Sequence, residues 1–314
     1  MAVDIFEYLP RELAEIIACR DGKISDVQIM PDKKVYTKQN GAYTHFCNLD
    51  ADFLFILNEI ASESGMQFNR YSPIMSVHYG GVRIEAHQKP ISNGSSACIR
   101  IPAHIIYTLE DYLNNMIMTS KHYDVLCQSI ADDRNIGIAG GTSSGKTTLT
   151  TAMLQKDYVI KPWKHIVTIQ DIDELVVPNP IHRKLFTNTL LSITGRQLTE
   201  SAMRCDPDAI HYGEWRDGNA LYGLQAGNTG HKGCYFTIHA NSVESTPDRI
   251  KDLCYTNPEL KFAPNRMIEE AVDLIVHIEA VRDIKGRFTR RVTGIGELVG
   301  YVKSKDKFEF KMLA

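Results

Sequence analysis

The chain has 314 residues, 43% of them hydrophobic and 23% charged, which is ordinary for a globular protein and excludes a disordered tract or a coiled-coil rod. At about 150 residues per domain, the length predicts two domains, each able to bury a core of its own. Thirty-five Lys and Arg against 38 Asp and Glu leave a net charge of −3, which argues against a protein that coats nucleic acid by bulk charge.

The first hundred residues read as short elements punctuated by turns. Leu9 to Cys19 carries Leu9, Leu13, Ile16 and Ile17 at helical spacing and stops at Asp21-Gly22. Asp26 to Met30 and Lys33 to Lys38 predict strands hinged on Pro31-Asp32, and residues 39–42 predict a hairpin turn before Tyr43 to Cys47. A helix is predicted over Ala51 to Ser64. Met75 to Tyr79 and Val82 to His87 then flank Gly80-Gly81, a two-residue loop that suits a tight hairpin. This pattern predicts a small antiparallel sheet with helices on it, an α+β amino-terminal domain over residues 1–105.

From Tyr107 the texture changes. Helices at about 109–118 and 121–131 lead into the short apolar strand Asn135 to Ala139, and a further helix is predicted over Thr147 to Gln155. Later apolar runs (Ile166 to Gln170, Ala209 to Tyr212, Tyr235 to His239, Leu274 to Ile278) alternate with amphipathic segments of helix length. That alternation predicts α/β architecture with a mainly parallel sheet over residues 106–314. Phe288 to Val302 reads as an edge hairpin. The seven cysteines are scattered and include no Cys-x-x-Cys pair, so they predict free thiols in a reducing compartment. Apolar runs such as Phe53 to Leu57 fall far short of the ~20 residues of a membrane span, and Asp4, Glu7, Arg11 and Glu12 interrupt the amino terminus. A cytoplasmic protein is expected.

Gly140-Gly141-Thr142-Ser143-Ser144-Gly145-Lys146-Thr147 fits the phosphate-loop pattern G-x-x-x-x-G-K-[ST], with a predicted strand before it and a predicted helix after it. Glycines let backbone N–H groups turn inward around phosphate oxygens, and the helix that continues through Thr148 aims its positive end at the same anion. Lys146 is placed to reach the β- and γ-phosphates, and Thr147 offers a hydroxyl to Mg²⁺. ATP and Mg²⁺ are therefore the expected cofactors. Hydrolysis also needs carboxylates at strand ends near the loop, to hold the metal and to orient water. Asp171, Asp173 and Glu174 follow one predicted strand, and Glu214 follows another after Gly213. Either group alone reads equally well as solvated turn acids; together behind a phosphate loop they favour catalysis. On residue type alone, His239 at a strand end is more often structural than catalytic.

The stretches 140–149 (GGTSSGKTTL), 166–175 (IVTIQDIDEL), 203–217 (MRCDPDAIHYGEWRD) and 227–242 (GNTGHKGCYFTIHANS) come in the order and spacing of the type II/type IV secretion traffic ATPases. The resemblance covers most of residues 135–255 and is strongest to the conjugation and type IV secretion branch, through Asn228-Thr229-Gly230-His231 and Thr237 to Ser242. It implies a RecA-like P-loop domain and a homo-oligomeric ring, a hexamer in this family. It also implies inner-membrane components of a secretion or conjugation channel as partners, with the motor held at the membrane through them. It makes Glu174 the general base and Glu214 the Walker B carboxylate acting on magnesium or water. His239 becomes a sensor of the γ-phosphate, and Lys146 and Thr147 keep their loop roles. It further implies that Arg83 and Arg100, on strands of the first domain, serve the bound phosphates; a guanidinium suits that role through its fixed charge and paired donors. Arg204 and Arg249 match family positions that the resemblance assigns to the nucleotide or to the subunit interface, and His231 one whose role is less defined.

Three positions depart from the usual pattern: Gln170 where an acid is common, Trp215 where a smaller apolar residue is frequent, and Asn219 where an acid is frequent. The rival readings are a pilus assembly or retraction motor, a nucleic-acid translocase and a nucleotide-gated binding module. The absence of a tetracysteine insert argues against the first. The balanced charge and the lack of aromatic-basic interleaving leave nucleic acid possible but not indicated.

Overall fold

The computed structural model describes residues 9–19, 21–39, 41–101, 106–188, 191–282 and 288–314, with 282 and 288 described in backbone only. Asp4 and Glu7, Asn40 in the turn read at 39–42, and residues 102–105 of the expected domain junction lie outside these. The chain divides into two compact units, 1–105 and 106–314.

The first unit contains α1 (Arg11–Cys19), β1 (Ile24–Ile29), β2 (Lys34–Gln39), β3 (Ala42–Asn48), α2 (Phe53–Glu63), β4 (Ile74–Tyr79), β5 (Val82–His87) and β6 (Ser96–Arg100). Its strands form one antiparallel six-stranded sheet in the order β3-β2-β1-β6-β5-β4. Alternation decides which face is covered: Val27, Ile29, Val35, Val82, Ile84 and Ile99 are buried in one core with Leu13 and Ile17 of α1 and Ile56, Leu57 and Ile60 of α2. The Asp52 side chain caps α2 by accepting from the Phe55 N–H at 3.1 Å. On the opposite face Lys38, Asp26, Arg100 and Arg83 stand side by side, one from each of four neighbouring strands.

The second unit begins with α3 (Leu109–Asn114) and α4 (Ser120–Ala131), both opened by Thr capping boxes at Thr108 and Thr119. Then follow β7 (Ile136–Ala139), α5 (Lys146–Ile160), β8 (Ile166–Gln170), β9 (His182–Phe186), α6 (Gly195–Met203), β10 (Ala209–Tyr212) and α7 (Asn219–Gly227). After these come β11 (Tyr235–Ile238), α8 (Thr246–Tyr255), α9 (Asn265–Ala271), β12 (Leu274–Arg282), β13 (Phe288–Val302) and β14 (Lys307–Met312). The eight-stranded sheet has the order β14-β13-β12-β7-β11-β10-β8-β9; the pairings from β12 to β9 are parallel, and the last two strands return antiparallel. Strands β7, β8, β10 and β11 are buried along their whole length, as expected where helices cover both faces of a parallel sheet. This order sets the carboxyl ends of β7, β11, β10 and β8 next to one another.

Some elements differ from the sequence reading. Helix α5 continues past Gln155 to Ile160, whereas α3 stops at Asn114, short of 118. Phe288 to Val302 is not a hairpin but one 15-residue strand inside the sheet, with β14 as the edge. Its glycines, which suggest turns in the sequence, serve close approach: a Cβ on Gly296 would lie 2.6 Å from Val243 Cγ1. Among the described residues no helix is long and apolar enough to cross a membrane.

His211 in β10 is fully enclosed; its Nδ1 accepts the Tyr235 N–H at 3.0 Å and its ring stacks on Tyr235 at 4.7 Å between centroids. Burial first, then the positive charge of Lys164, pushes its pKa down to about 3 from the ordinary 6.5. The unfolded chain therefore binds a proton at His211 between these values and the folded chain does not, so stability is lost as pH falls from 6.5 towards 3. His211→Gln should flatten the acid limb of a denaturation midpoint-versus-pH curve; an unaltered slope would contradict this assignment.

Candidate active site

The turn between β7 and α5 is built to wrap an anion. Ser143 (φ 61°) and Gly145 (φ 97°) are left-handed, so consecutive amides point to one side, and Gly145 is also the residue from which α5 starts. Gly140 admits no side chain, because a Cβ would sit 2.1 Å from the Ile278 carbonyl oxygen and 2.6 Å from Ser144 Oγ. The Ser144 hydroxyl is buried without a hydrogen-bond partner among the described residues, a polar group of the loop that a phosphate oxygen would satisfy. Thr142 and Gly141 are exposed on the rim, and Thr148 lies in the first turn of the helix.

The Lys146 ammonium is buried and spends its three protons locally, on Gly140 O at 3.0 Å, Gly141 O at 2.9 Å and His239 Nδ1 at 3.3 Å. Burial pushes its pKa down, and the carboxylates of Glu214 and Glu174 partly restore it, so both acids lie within electrostatic reach of this one charge. His239 follows β11. Its Nε2 is 3.1 Å from Glu214 Oε1, and with Nδ1 accepting from Lys146 the proton belongs on Nε2, donated to Glu214. Burial and then Lys146 lower the His239 pKa, which keeps the ring neutral between the two charges. Thr147 Oγ1 donates to Glu174 Oε2 at 3.2 Å. Hydroxyl and carboxylate oxygens are the ligands Mg²⁺ takes, so Thr147 and Glu214 fit that ion.

Backbone clamps hold each acid. Glu214 leaves β10 beside Trp215, whose N–H donates to the Thr237 carbonyl at 2.8 Å while Thr237 Oγ1 donates back to Gly213 O at 2.6 Å. The Trp215 ring stacks on Phe236 at 3.5 Å and 8°, and Gly223 of α7 makes room for it: a Cβ there would fall 2.4 Å from the indole nitrogen. The large residue at this position is thus a packing element. Gln170, at the end of β8, turns out to be a positioning residue. Its side-chain carbonyl accepts the N–H groups of Glu174 at 3.1 Å and Leu175 at 2.9 Å, fixing the loop that presents Glu174. Asp171 pairs with Arg216 at 2.6 Å and Asp173 with Lys184 at 2.7 Å, so of the three acids in this loop Glu174 is the one turned to Thr147.

The structure thus gathers Lys146, Thr147, Glu174, Glu214 and His239 at one point. Arg249, in α8, bears electrostatically on His239 and belongs to the same neighbourhood. His231 does not: its Nδ1 lies 2.9 Å from the Pro207 carbonyl, at the amino end of β10, and Arg204 caps α6 on that same end. Asn219 opens α7 and packs against Gly195. Arg83 and Arg100 lie in the amino-terminal unit, directly opposite each other on β5 and β6, with Arg100 Nε 3.2 Å from the buried carboxylate of Asp26.

A family model described as type II/IV secretion system protein matches residues 74–298. The chain belongs to this family of secretion ATPases. It is 32% identical over 283 residues to the conjugal transfer protein TrbB of Rhizobium radiobacter, covering 89% of this chain and 86% of that protein. With the type IV secretion system protein VirB11 of Bartonella henselae it shares 32% identity over 232 residues, 61% of this chain and 64% of the relative. Among solved structures, the pilus retraction motor PilT with bound ADP matches with a TM-score of 0.63 at 20% identity, over 93% of this chain and 84% of that one. The ATPase DotB of Legionella pneumophila matches with a TM-score of 0.61 at 18% identity, over 88% and 77%. At such identities the two structures show a common fold.

Gln170→Leu should remove the acceptor for the buried Leu175 N–H and destabilise the protein by about 1–3 kcal/mol in urea unfolding, whereas Gln170→Glu, which keeps an acceptor, should recover most of the loss. Equal stability of the Leu variant and the parent would show that the clamp is dispensable.

Proposed function

We propose that this protein is a Mg²⁺-dependent ATPase motor of a conjugative or type IV secretion apparatus. In this reading it works as a hexameric ring on the cytoplasmic side of the inner membrane, held there by channel components, with a RecA-like P-loop unit and nucleotide-driven domain closure. The observation that carries the reading is the hydrogen-bonded chain from Lys146 through His239 to Glu214, set beside the Thr147–Glu174 contact at the phosphate loop. Relatives named for conjugal transfer and type IV secretion support the choice of apparatus.

In this reading the loop amides and Lys146 bind the β- and γ-phosphates, and an arriving phosphate oxygen competes with Gly140 O, Gly141 O and His239 Nδ1 for the ammonium. Thr147 and Glu214 would hold Mg²⁺ through their oxygens, and the ion would supply charge neutralisation to the phosphates. Glu174, held by Gln170, orients water and takes its proton. His239 touches both Lys146 and Glu214, so a change in the Lys146 contact is felt at Glu214 as a change in its hydrogen bond. Nucleotide-driven closure converts binding energy into movement.

Lys146→Ala is expected to reduce steady-state phosphate release by at least about 10²-fold, and Glu174→Gln to reduce it comparably while nucleotide binding persists. Light scattering with Mg-ATP should give a particle of six chains. Undiminished turnover in Lys146→Ala would sink the ATPase reading, and a persistent monomer would sink the ring.

A further inference from the structure

An arginine outside every motif of the sequence presses on the phosphate loop. Arg290 lies on β13 opposite Ala280 of β12, three residues beyond His277, which itself pairs with Ala139 at the carboxyl end of β7. Strand alternation places Arg290 on the same face as Val292, a residue buried with Leu109, Tyr112 and Leu149. Its side chain therefore runs between α3 and the start of α5. The structure shows it there: a Cβ on Gly145 would lie 3.1 Å from Arg290 Cδ and 3.3 Å from Nε, and the positive charge is felt at the Tyr112 hydroxyl. The residue is exposed, and among the described residues it forms no ion pair with a carboxylate. A guanidinium held at the head of a 15-residue helix, beside a turn whose amides converge, adds two-point anion binding to what the helix end already provides.

The sheet order says which part of a nucleotide this charge meets. Strands β12 and β13 flank β7 on one side; β11, β10 and β8, which carry His239, Glu214 and Glu174, flank it on the other. A triphosphate lying across the head of α5, with its γ-phosphate among those three residues, directs its α-phosphate and ribose towards β12 and β13. We propose that Arg290 binds the α-phosphate end of the nucleotide, as an affinity residue on the non-reacting side of the loop. The proposal rests on the reading of the loop as an ATP site. A contact to the α-phosphate is made equally with ATP, with ADP and in the transition state, so it contributes uniform binding and leaves the chemical step alone.

The test uses the full-length chain with Arg290→Ala, Arg290→Gln and Arg290→Lys, beside Lys146→Ala. For the Ala and Gln variants the KM for ATP and the Kd for ADP should rise together by about tenfold, with kcat changed by no more than about twofold; Lys should recover part of the affinity. An ADP affinity equal to that of the parent in Arg290→Gln overturns the proposal. So does a rise in the ATP KM without a rise in the ADP Kd, or a fall in kcat at constant KM, either of which would place Arg290 on the reacting side. Gln carries the test if the Ala variant does not fold. Lys146→Ala separates the two levels: ADP binding weakened there but unchanged in Arg290→Gln removes Arg290 alone, whereas ADP binding unchanged in both removes the loop as a nucleotide site.

Discussion

The burial of one ammonium group organises the carboxyl-terminal unit. Lys146 is drawn out of water at the head of α5, and a charge in that position is tolerated only with every proton directed at an acceptor. Two acceptors are carbonyls of its own loop and the third is His239 Nδ1, which comes from the neighbouring strand β11. The third contact requires β7 and β11 to be parallel and adjacent, with their carboxyl ends level. The same strand arrangement brings Glu214 from β10 within 3.1 Å of His239, so one desolvated charge ties three strand ends together.

Around that point the sheet sorts chemistry by side. The carboxylates and the histidine arrive on strands to one side of β7, the Arg290 guanidinium on the other. Each acid is aimed by backbone hydrogen bonds rather than by its own packing: Gln170 holds the loop of Glu174, and the reciprocal bonds between Thr237, Gly213 and Trp215 hold that of Glu214. Clamps of this kind keep functional groups in register. The amino-terminal unit follows another rule, with one sheet face covered by α1 and α2 and the other lined by a row of charges that includes Arg83 and Arg100.

Much of this was legible in the chain, for a simple reason. Four- and five-residue runs such as Ile166 to Gln170 or Ala209 to Tyr212 are buried on both faces, and a segment that short and mainly apolar has few other places to go. Elements with a weaker imprint were misread or missed. The glycines of β13 imitate turns because the signal for a bend and the signal for a close neighbour are the same missing side chain. Strand β9, at one edge of the sheet, carries charged and half-exposed residues without an apolar pattern, so nothing in its sequence marks it, whereas β14 at the other edge does alternate Phe308, Phe310 and Met312 with charged residues, a short period-2 signal. The role of Gln170 is not legible in the sequence, since its partners, two amides four and five residues ahead, are brought to it by the fold of the loop.

By itself the sequence determined the phosphate loop, the apolar strands that carry it and the residue types available for chemistry, because those depend on local spacing and on the conformational freedom of Gly140 and Gly145. Which of those residues meet was decided only by tertiary structure. Lys146, His239 and Glu214 are separated by 93 and 25 positions along the chain and touch because parallel pairing places their strands side by side. Asp171 and Asp173 are as acidic as Glu174 but are taken up by Arg216 and Lys184. Arg290 has no motif around it, and its nearness to Gly145 arises from the register of β13 on β12 alone. Spacing along a chain carries information about turns and faces; distance between strand ends belongs to the sheet.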